Sequence, residues 1–206
     1  MRLTGLLLAA FLLASPVASA AETGSGWLTD STVLQRLPDD PEPAAEILIA
    51  SPVRVLGPER AGRVEVMLSG WTDPEGRVLY ASASPAVELA RITAPDLLTR
   101  HLSPGPDGWT RAELRGWLDP AVLTEDPGAL WQRAFTSYRS RCTSCHPRRA
   151  PGKYSVEEWK DYFRMMGPRT RLPQVEQLLI RAYLQRHASD AATLEGAPAP
   201  ADDTTP

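Results

Sequence analysis

The two cysteines of the chain, Cys142 and Cys145, stand three residues apart and are followed at once by His146. This C-x-x-C-H spacing is typical of covalent c-type haem attachment. On a tight helical segment the two thiols can reach the two vinyl groups of one porphyrin, and the adjacent histidine comes under the iron as its proximal ligand. We therefore predict one covalent haem c, with thioethers at Cys142 and Cys145 and with His146 as an axial iron ligand.

Other chemistries use the same residue types and stay open as alternatives. A dithiol redox motif belongs in a thioredoxin-like βαβ context, whereas helical patterns surround this motif and no strand pattern follows it. A structural zinc site needs four ligands, and Cys145 and His146 would be strained as adjacent ligands. A disulfide between Cys142 and Cys145 would close a very short loop and contribute little stability.

A second axial ligand is expected on the segment about twenty residues beyond the motif. Met166 shares a helix face with Trp159 and Phe163, and this face forms an apolar wall suited to a haem macrocycle. We therefore predict Trp159 and Phe163 as haem-pocket residues and Met166 as the distal iron ligand, with the neighbouring Met165 as an alternative. His187 is a further alternative, and an imidazole ligand would give a lower potential than a thioether.

Helical patterns carry the motif and the ligand candidates. Apolar residues at helical spacings predict an amphipathic helix from about 128 to 141 that runs into the motif. Ser155 and Glu158 form a capping box that opens a second helix, and Pro173 suits the first position of a third. The sequence therefore predicts an all-α three-helix haem domain over residues 127–187.

The segment before the helices has a different period. Short extended patterns separated by Gly and Pro turns predict strands, and the turn at Asp73–Gly76 predicts a hairpin between Val64–Trp71 and Arg77–Ser82. About five short strands over residues 45–123 favour a small all-β barrel. The predicted fold class is therefore α+β, with residues 21–44 as an N-terminal linker.

Charge is segregated along the chain, although the formal net charge is only −3. Residues 21–126 carry 9 arginines against 17 carboxylates, whereas residues 127–187 carry 12 Lys and Arg against 4 carboxylates. Residues 188–206 have four carboxylates, no cation and little apolar content, which predicts a disordered acidic tail. A basic cluster flanks the haem motif and is either a solvated face or a surface that steers redox partners. It consists of Arg139, Arg141, Arg148, Arg149 and Lys153.

Residues 1–20 have the three regions of a secretory signal peptide. Arg2 precedes an apolar run from Leu6 to Leu13, and the small residues Ala18 to Ala20 follow. The run is too short and too interrupted to span a bilayer, so cleavage after about Ala20 is expected. We therefore predict a periplasmic protein that has no stable membrane insertion after cleavage.

Several segments of the chain resemble the C-terminal monohaem region of the pentahaem c-type cytochromes that deliver electrons to trimethylamine N-oxide and dimethyl sulfoxide reductases. Val64–Tyr80 and Gly116–Leu118 look like the SH3-like barrel that precedes this haem region, so the likeness covers about residues 50–187. The segments that carry the haem-region likeness are Tyr138–His146, Trp159, Met166, Arg169–Leu172 and Tyr183–Ala188.

The resemblance implies single-electron transfer in a periplasmic respiratory chain. The family also has an N-terminal membrane helix and four further haem motifs, which this sequence does not show, so the resemblance implies a stand-alone monohaem carrier or a haem subunit of a larger assembly. The implied partners are redox proteins, either a multihaem quinol-oxidising cytochrome or a terminal reductase. The family's proximal histidine maps onto His146, and its thioether cysteines map onto Cys142 and Cys145.

The alternative function is a haem-based sensor, or an assembly subunit that binds a partner through the barrel. Two strong axial ligands favour electron transfer, whereas an open position on the iron favours sensing. The sequence shows no catalytic triad, paired-carboxylate site or phosphate-binding loop. We therefore predict neither an enzyme nor a nucleic-acid partner, and a peroxidase would also need distal acid–base residues.

Overall fold

The computed structural model describes residues 24–144 and 146–194, with the backbone alone at 100–104, 106 and 193. The signal-peptide segment 1–20, Cys145 and the tail beyond residue 194 lie outside the described residues. Within the described ranges, ten β-strands come first along the chain and three α-helices follow. The strands are β1 (Gly24–Leu28), β2 (Thr32–Gln35), β3 (Pro43–Ile47), β4 (Pro52–Val55), β5 (Val64–Thr72), β6 (Val78–Tyr80), β7 (Glu88–Ile92), β8 (Leu98–Pro104), β9 (Thr110–Leu118) and β10 (Leu123–Thr124).

Six of these strands close into an antiparallel barrel, in the order β5, β6, β7, β3, β2, β9 and back to β5. The pairing of β5 with β9 runs from Val64 opposite Leu118 to Thr72 opposite Thr110. The other strands extend this sheet, because β4, β1 and β10 follow from β5 and β8 pairs with β9. The predicted barrel is confirmed, and so is the β5–β6 hairpin, whose pairing the structure records at Trp71 and Tyr80.

The prediction of a linker over 21–44 is wrong for the part that the structure describes. Strand β1 pairs with β4 and β10, and β2 pairs with β3 and β9. Leu28 and Leu34 are fully buried, but Val33 beside Leu34 is 45% exposed. Each of these strands is short and buries few large apolar side chains, so its alternation is too weak to be recognised in the sequence.

The three helices are α1 (Pro127–Cys142), α2 (Val156–Met166) and α3 (Gln174–Arg186). The predicted capping box is confirmed, because Ser155 Oγ accepts from the Glu158 amide at 3.2 Å and the Glu158 carboxylate accepts from the Ser155 amide at 2.8 Å. Pro173 caps α3 rather than standing at its first position. The aromatic ring of Tyr183 on α3 lies 6.5 Å from that of Tyr138 on α1, so α3 packs against the helix that leads into the motif.

The beginning of the segment predicted as a disordered tail is folded. Ala188, Ala191 and Leu194 are buried. The Ser189 amide donates to the Tyr154 carbonyl at 3.0 Å, and the Val156 amide donates to Asp190 Oδ1 at 2.8 Å. Residues 188–194 therefore complete the helical unit, which we define as residues 127–194.

The barrel and the helical unit share one hydrophobic core. Trp27 of β1 meets Trp131 of α1 edge to face, with ring centroids 5.7 Å apart. The guanidinium of Arg186, which is 2% exposed, lies 5.3 Å from the centre of the Trp27 ring. Over the described ranges, no helix has the length and apolar character needed to cross a membrane.

Candidate functional site

A cleft of about 620 Å³, counting the space at its open mouth, lies in the helical unit. Cys142, His146, Trp159, Phe163 and Met166 all line it, so the structure brings together every predicted site residue that it describes except the two alternative ligands. The remaining lining residues are Tyr138, Arg149, Tyr154, Tyr162, Thr170 and Leu184.

The motif begins at the last residue of α1. Cys142 is half-buried and lines the cleft. The hydroxyl of Thr143 donates to the carbonyl of Arg139 at 2.7 Å, and that of Ser144 donates to the carbonyl of Arg141 at 2.9 Å. These bonds keep the chain wound tightly beyond the helix, because they satisfy carbonyls of the last turn that have no amide partner within the helix.

The ring of His146 is oriented by the residue that follows it. Its Nδ1 lies 2.8 Å from the carbonyl oxygen of Pro147. A carbonyl can only accept, so Nδ1 is the donor in this contact, and Nε2 is the ring nitrogen that makes no contact with this carbonyl. Histidine ligands of metals commonly have this arrangement, in which the second ring nitrogen donates to a backbone carbonyl and thereby fixes the ring. The contact with Pro147 therefore orients the ring of His146 in the way that an axial ligand requires.

Two buried aromatic side chains hold the segment after His146. The Tyr138 hydroxyl donates to the Arg149 carbonyl at 2.8 Å, and Trp159 Nε1 donates to the Pro151 carbonyl at 2.7 Å. Both rings also line the cleft. Burial raises the pKa of Tyr138 to about 12, so its hydroxyl stays a donor at any physiological pH. The cleft wall and the position of His146 are thus set by the same side chains.

Replacing Tyr138 with phenylalanine is expected to destabilise the protein by about 1 kcal/mol, because the Arg149 carbonyl loses its partner in a half-buried place. The measurement is urea unfolding. Tyr162→Phe is the matched control, since the structure records no hydrogen bond of the Tyr162 hydroxyl to any described residue, although this ring lines the same cleft. Equal losses of unfolding free energy in the two variants would show that the hydrogen bond from Tyr138 to Arg149 does not stabilise the protein.

Helix α2 supplies the apolar wall. Trp159 and Phe163 are 1% and 7% exposed. Sequence reasoning missed Tyr154 and Tyr162, whose ring centroids lie 5.0 Å and 6.4 Å from that of Trp159. Tyr162 could have been found in the sequence, because it lies on α2 about one turn from Trp159. Tyr154 could not be found in this way, because it precedes the helix.

The two adjacent methionines at the end of α2 have different environments. Met166 lines the cleft, whereas the side chain of Met165 is 57% exposed. The next residue, Gly167, is buried, and a Cβ there would come within 2.7 Å of the Phe163 ring. Glycine therefore lets the chain turn closely past Phe163 and bring Thr170, which also lines the cleft, beside α2.

The other alternative ligand, His187, lies at the junction with the barrel and is not among the residues that line the cleft. Its Nδ1 is 2.8 Å from the Tyr183 carbonyl, and its ring is 5.6 Å from the ring of Trp131. The side chain of His101, for which no role was predicted, lies outside the described residues. Over the described ranges, no group of three His, Cys, Asp or Glu side chains is placed to hold a metal ion.

Burial lowers the pKa of His187. The unfolded chain therefore binds a proton below about pH 6.5, where the folded protein does not yet do so, and stability decreases as the pH falls through this value. We expect urea unfolding at pH 7.5 and pH 5.5 to show this decrease, and we expect it to be smaller in His187→Phe, which keeps an aromatic ring against Trp131. If stability decreases equally in the wild type and in His187→Phe, then His187 is not the cause of the decrease, and its imidazole is not buried in the neutral form.

The lining of the cleft fits a c-type haem. The donors are a thiol, an imidazole with Nε2 available and a thioether, and the walls between them are aromatic and buried. Imidazole and thioether are the axial ligands of many cytochromes c. The fit rests on this donor set and on the close approach that Gly167 permits.

Comparisons with known proteins give relatives of one kind. Cytochrome c-type protein TorC of Escherichia coli strain K12 is 25% identical over 193 residues, which cover 85% of this chain and 47% of that protein. TorC of Escherichia coli O157:H7 is 25% identical over 170 residues, 74% of this chain and 41% of that protein. Cytochrome c-type protein TorY of the same strain is 35% identical over 83 residues, 40% of this chain and 22% of that protein.

The chain therefore spans less than half the length of the curated relatives that it matches. No protein-family model matches it. No solved structure matches it significantly.

Proposed function

We propose that this protein is a c-type cytochrome that carries single electrons through one haem attached at Cys142 and Cys145. The observation that carries the proposal is that Cys142 and His146 of the haem motif line the same cleft as Met166, the predicted distal ligand. The similarity to cytochrome c-type proteins supports it.

When bound, the haem supplies an Fe(III)/Fe(II) couple. The chain's own residues hold and shield it. Cys142 and Cys145 would form the thioethers, and Nε2 of His146 and the sulfur of Met166 would be the iron ligands. Trp159 and Phe163, which are both buried, would exclude water from the group.

The proposed setting is the periplasm, after export and cleavage near Ala20. The proposed partners are redox proteins. The partner is either a multihaem quinol-oxidising cytochrome or a terminal reductase. This proposal rests on the resemblance of the sequence to the cytochromes of such systems. No substrate chemistry is assigned to the cleft, because the roles of its residues are ligation, shielding and positioning.

A potentiometric titration of the haem-loaded protein tests the electron-carrier role. The absorbance of the reduced haem is followed against the applied potential in both directions. A carrier gives one reversible curve with a slope of about 59 mV per tenfold change in the ratio of the two forms, as expected for one electron. A curve that shows hysteresis, or that changes in the presence of carbon monoxide, would instead indicate ligand exchange at the iron and favour the sensor.

A further inference from the structure

Ten of the twelve cations between residues 127 and 187 fall into two groups, and the buried Arg186 and the cleft-lining Arg149 belong to neither. Four of them have carboxylate partners, and these partners take up three of the four carboxylates between residues 127 and 187. The fourth carboxylate, Glu158, belongs to the capping box with Ser155. The pairs are Arg133 with Glu176 at 3.0 Å, Lys160 with Glu157 at 3.1 Å, Arg164 with Asp161 at 3.2 Å and Arg181 with Glu88 of the barrel at 3.8 Å.

A second group of cations is exposed and has no carboxylate within ion-pair distance in the described part of the chain. We call these residues the rim cations. Arg149, which lines the cleft itself, is also exposed and is left out of this set. The rim cations are Arg139, Arg141, Arg148, Lys153, Arg169 and Arg171.

The rim cations lie close in sequence to residues that line the cleft. Arg139 and Arg141 precede Cys142 on the last turn of α1, and Arg148 follows His146 by two residues. The remaining three are next to lining residues: the ammonium of Lys153 lies 5.7 Å from the centre of the Tyr154 ring, and Arg169 and Arg171 precede and follow Thr170 in the chain.

This distribution is unfavourable for the isolated protein. Like charges within about 10 Å repel one another at physiological salt, and none of the rim cations forms an ion pair with a described carboxylate. The two propionates of one haem would offset at most two of these charges. A net positive charge is thus left beside the cleft, and a field of this kind attracts an oppositely charged partner and raises its association rate.

We propose that the rim cations are the docking surface for an acidic redox protein, whose own redox centre is brought over the cleft by charge complementarity. The inference rests on the proposed function. A membrane surface fits the rim less well, because peripheral membrane binding also needs exposed apolar side chains. Among the described residues of the helical unit, Met165 is the only large hydrophobic side chain that is strongly exposed.

The test uses the haem-loaded protein and flavodoxin hydroquinone, an acidic one-electron donor. One electron passes from the flavin to Fe(III) and leaves the flavin semiquinone and Fe(II). The second-order rate constant is measured by stopped flow at low and high ionic strength. We expect it to fall about tenfold or more as salt screens the rim.

Two double variants with the same change in net charge separate the rim from the charge of the whole protein. Arg139→Glu with Arg169→Glu is expected to lower the rate constant at low ionic strength about tenfold. The control, Arg77→Glu with Arg115→Glu, reverses two exposed barrel arginines and should leave it within about twofold. Redox potentials are measured for the wild type, the rim variant and the control variant. The rate constants can then be compared with the difference in driving force taken into account.

Binding supplies a readout that does not depend on electron transfer. Fluorescein-labelled poly-L-glutamate should bind the wild-type and control proteins and lose affinity for the rim variant, as measured by fluorescence anisotropy. Equal effects of the rim and control variants would overturn the docking surface. Rim-dependent binding to phosphatidylglycerol vesicles with unchanged flavodoxin kinetics would also overturn it, in favour of a membrane. Protein that carries no haem would sink the proposed function instead.

Discussion

Protein in which Cys142 and Cys145 are both replaced by serine is expected to be purified without covalently bound haem, even when it is produced with a c-type haem maturation system. These are the only cysteines in the chain, so no other thiol can form a thioether. The expected effect is complete loss, measured by intact-protein mass spectrometry and by haem staining after denaturing electrophoresis.

The matched control changes the two residues between the cysteines. Thr143→Ala with Ser144→Ala removes two hydroxyls that bond to carbonyls of α1 and leaves both thiols in place. This variant is expected to keep its haem and to lose some stability at the end of α1. Covalent haem in the variant without cysteines would contradict the assignment of the attachment site.

Replacing Met166 with alanine is expected to open the iron on one side. Met166 lines the cleft and is the proposed distal ligand. Without its sulfur the oxidised haem should become largely high-spin and lose the weak far-red methionine–iron band, and the reduced haem should bind carbon monoxide. The midpoint potential should fall, because a thioether ligand raises it.

Met165→Ala is the matched control, since the same side chain is removed one residue earlier in the helix. Met165 is 57% exposed, so its removal should leave the spectrum, the carbon monoxide response and the potential unchanged. If neither variant changes the iron spectrum, the distal ligand is not a methionine of α2. His187→Gln would then be the next variant to examine.

The helices could be predicted because their signals are local. The reciprocal bonds of Ser155 and Glu158 span three residues, and Trp159 and Phe163 are one turn apart on a buried face. For the barrel, the sequence could predict the fold class but not which strands pair to close it. Its closure depends on the pairing of Val64 with Leu118, which are far apart in sequence, and periodicity does not contain that register.

The part of the candidate site on α2 was predicted except for Tyr162. Trp159, Phe163 and Met166 follow from the face of α2, and successive residues point about 100° apart around a helix, which is why Met165 and Met166 diverge. Tyr154 and Leu184 were missed, because they reach the cleft from outside α2 and only tertiary packing places them there. The contact of Arg186 with Trp27 was missed for the same reason.

The most direct test of the central claim is an absorption spectrum of protein produced with the c-type haem maturation system, first oxidised in air and then reduced, before and after addition of carbon monoxide. The account predicts low-spin bands in both states, the weak methionine–iron band in the oxidised state and no change with carbon monoxide. A high-spin iron that binds carbon monoxide would contradict the His146 and Met166 ligand pair, and protein without covalent haem would contradict the account as a whole.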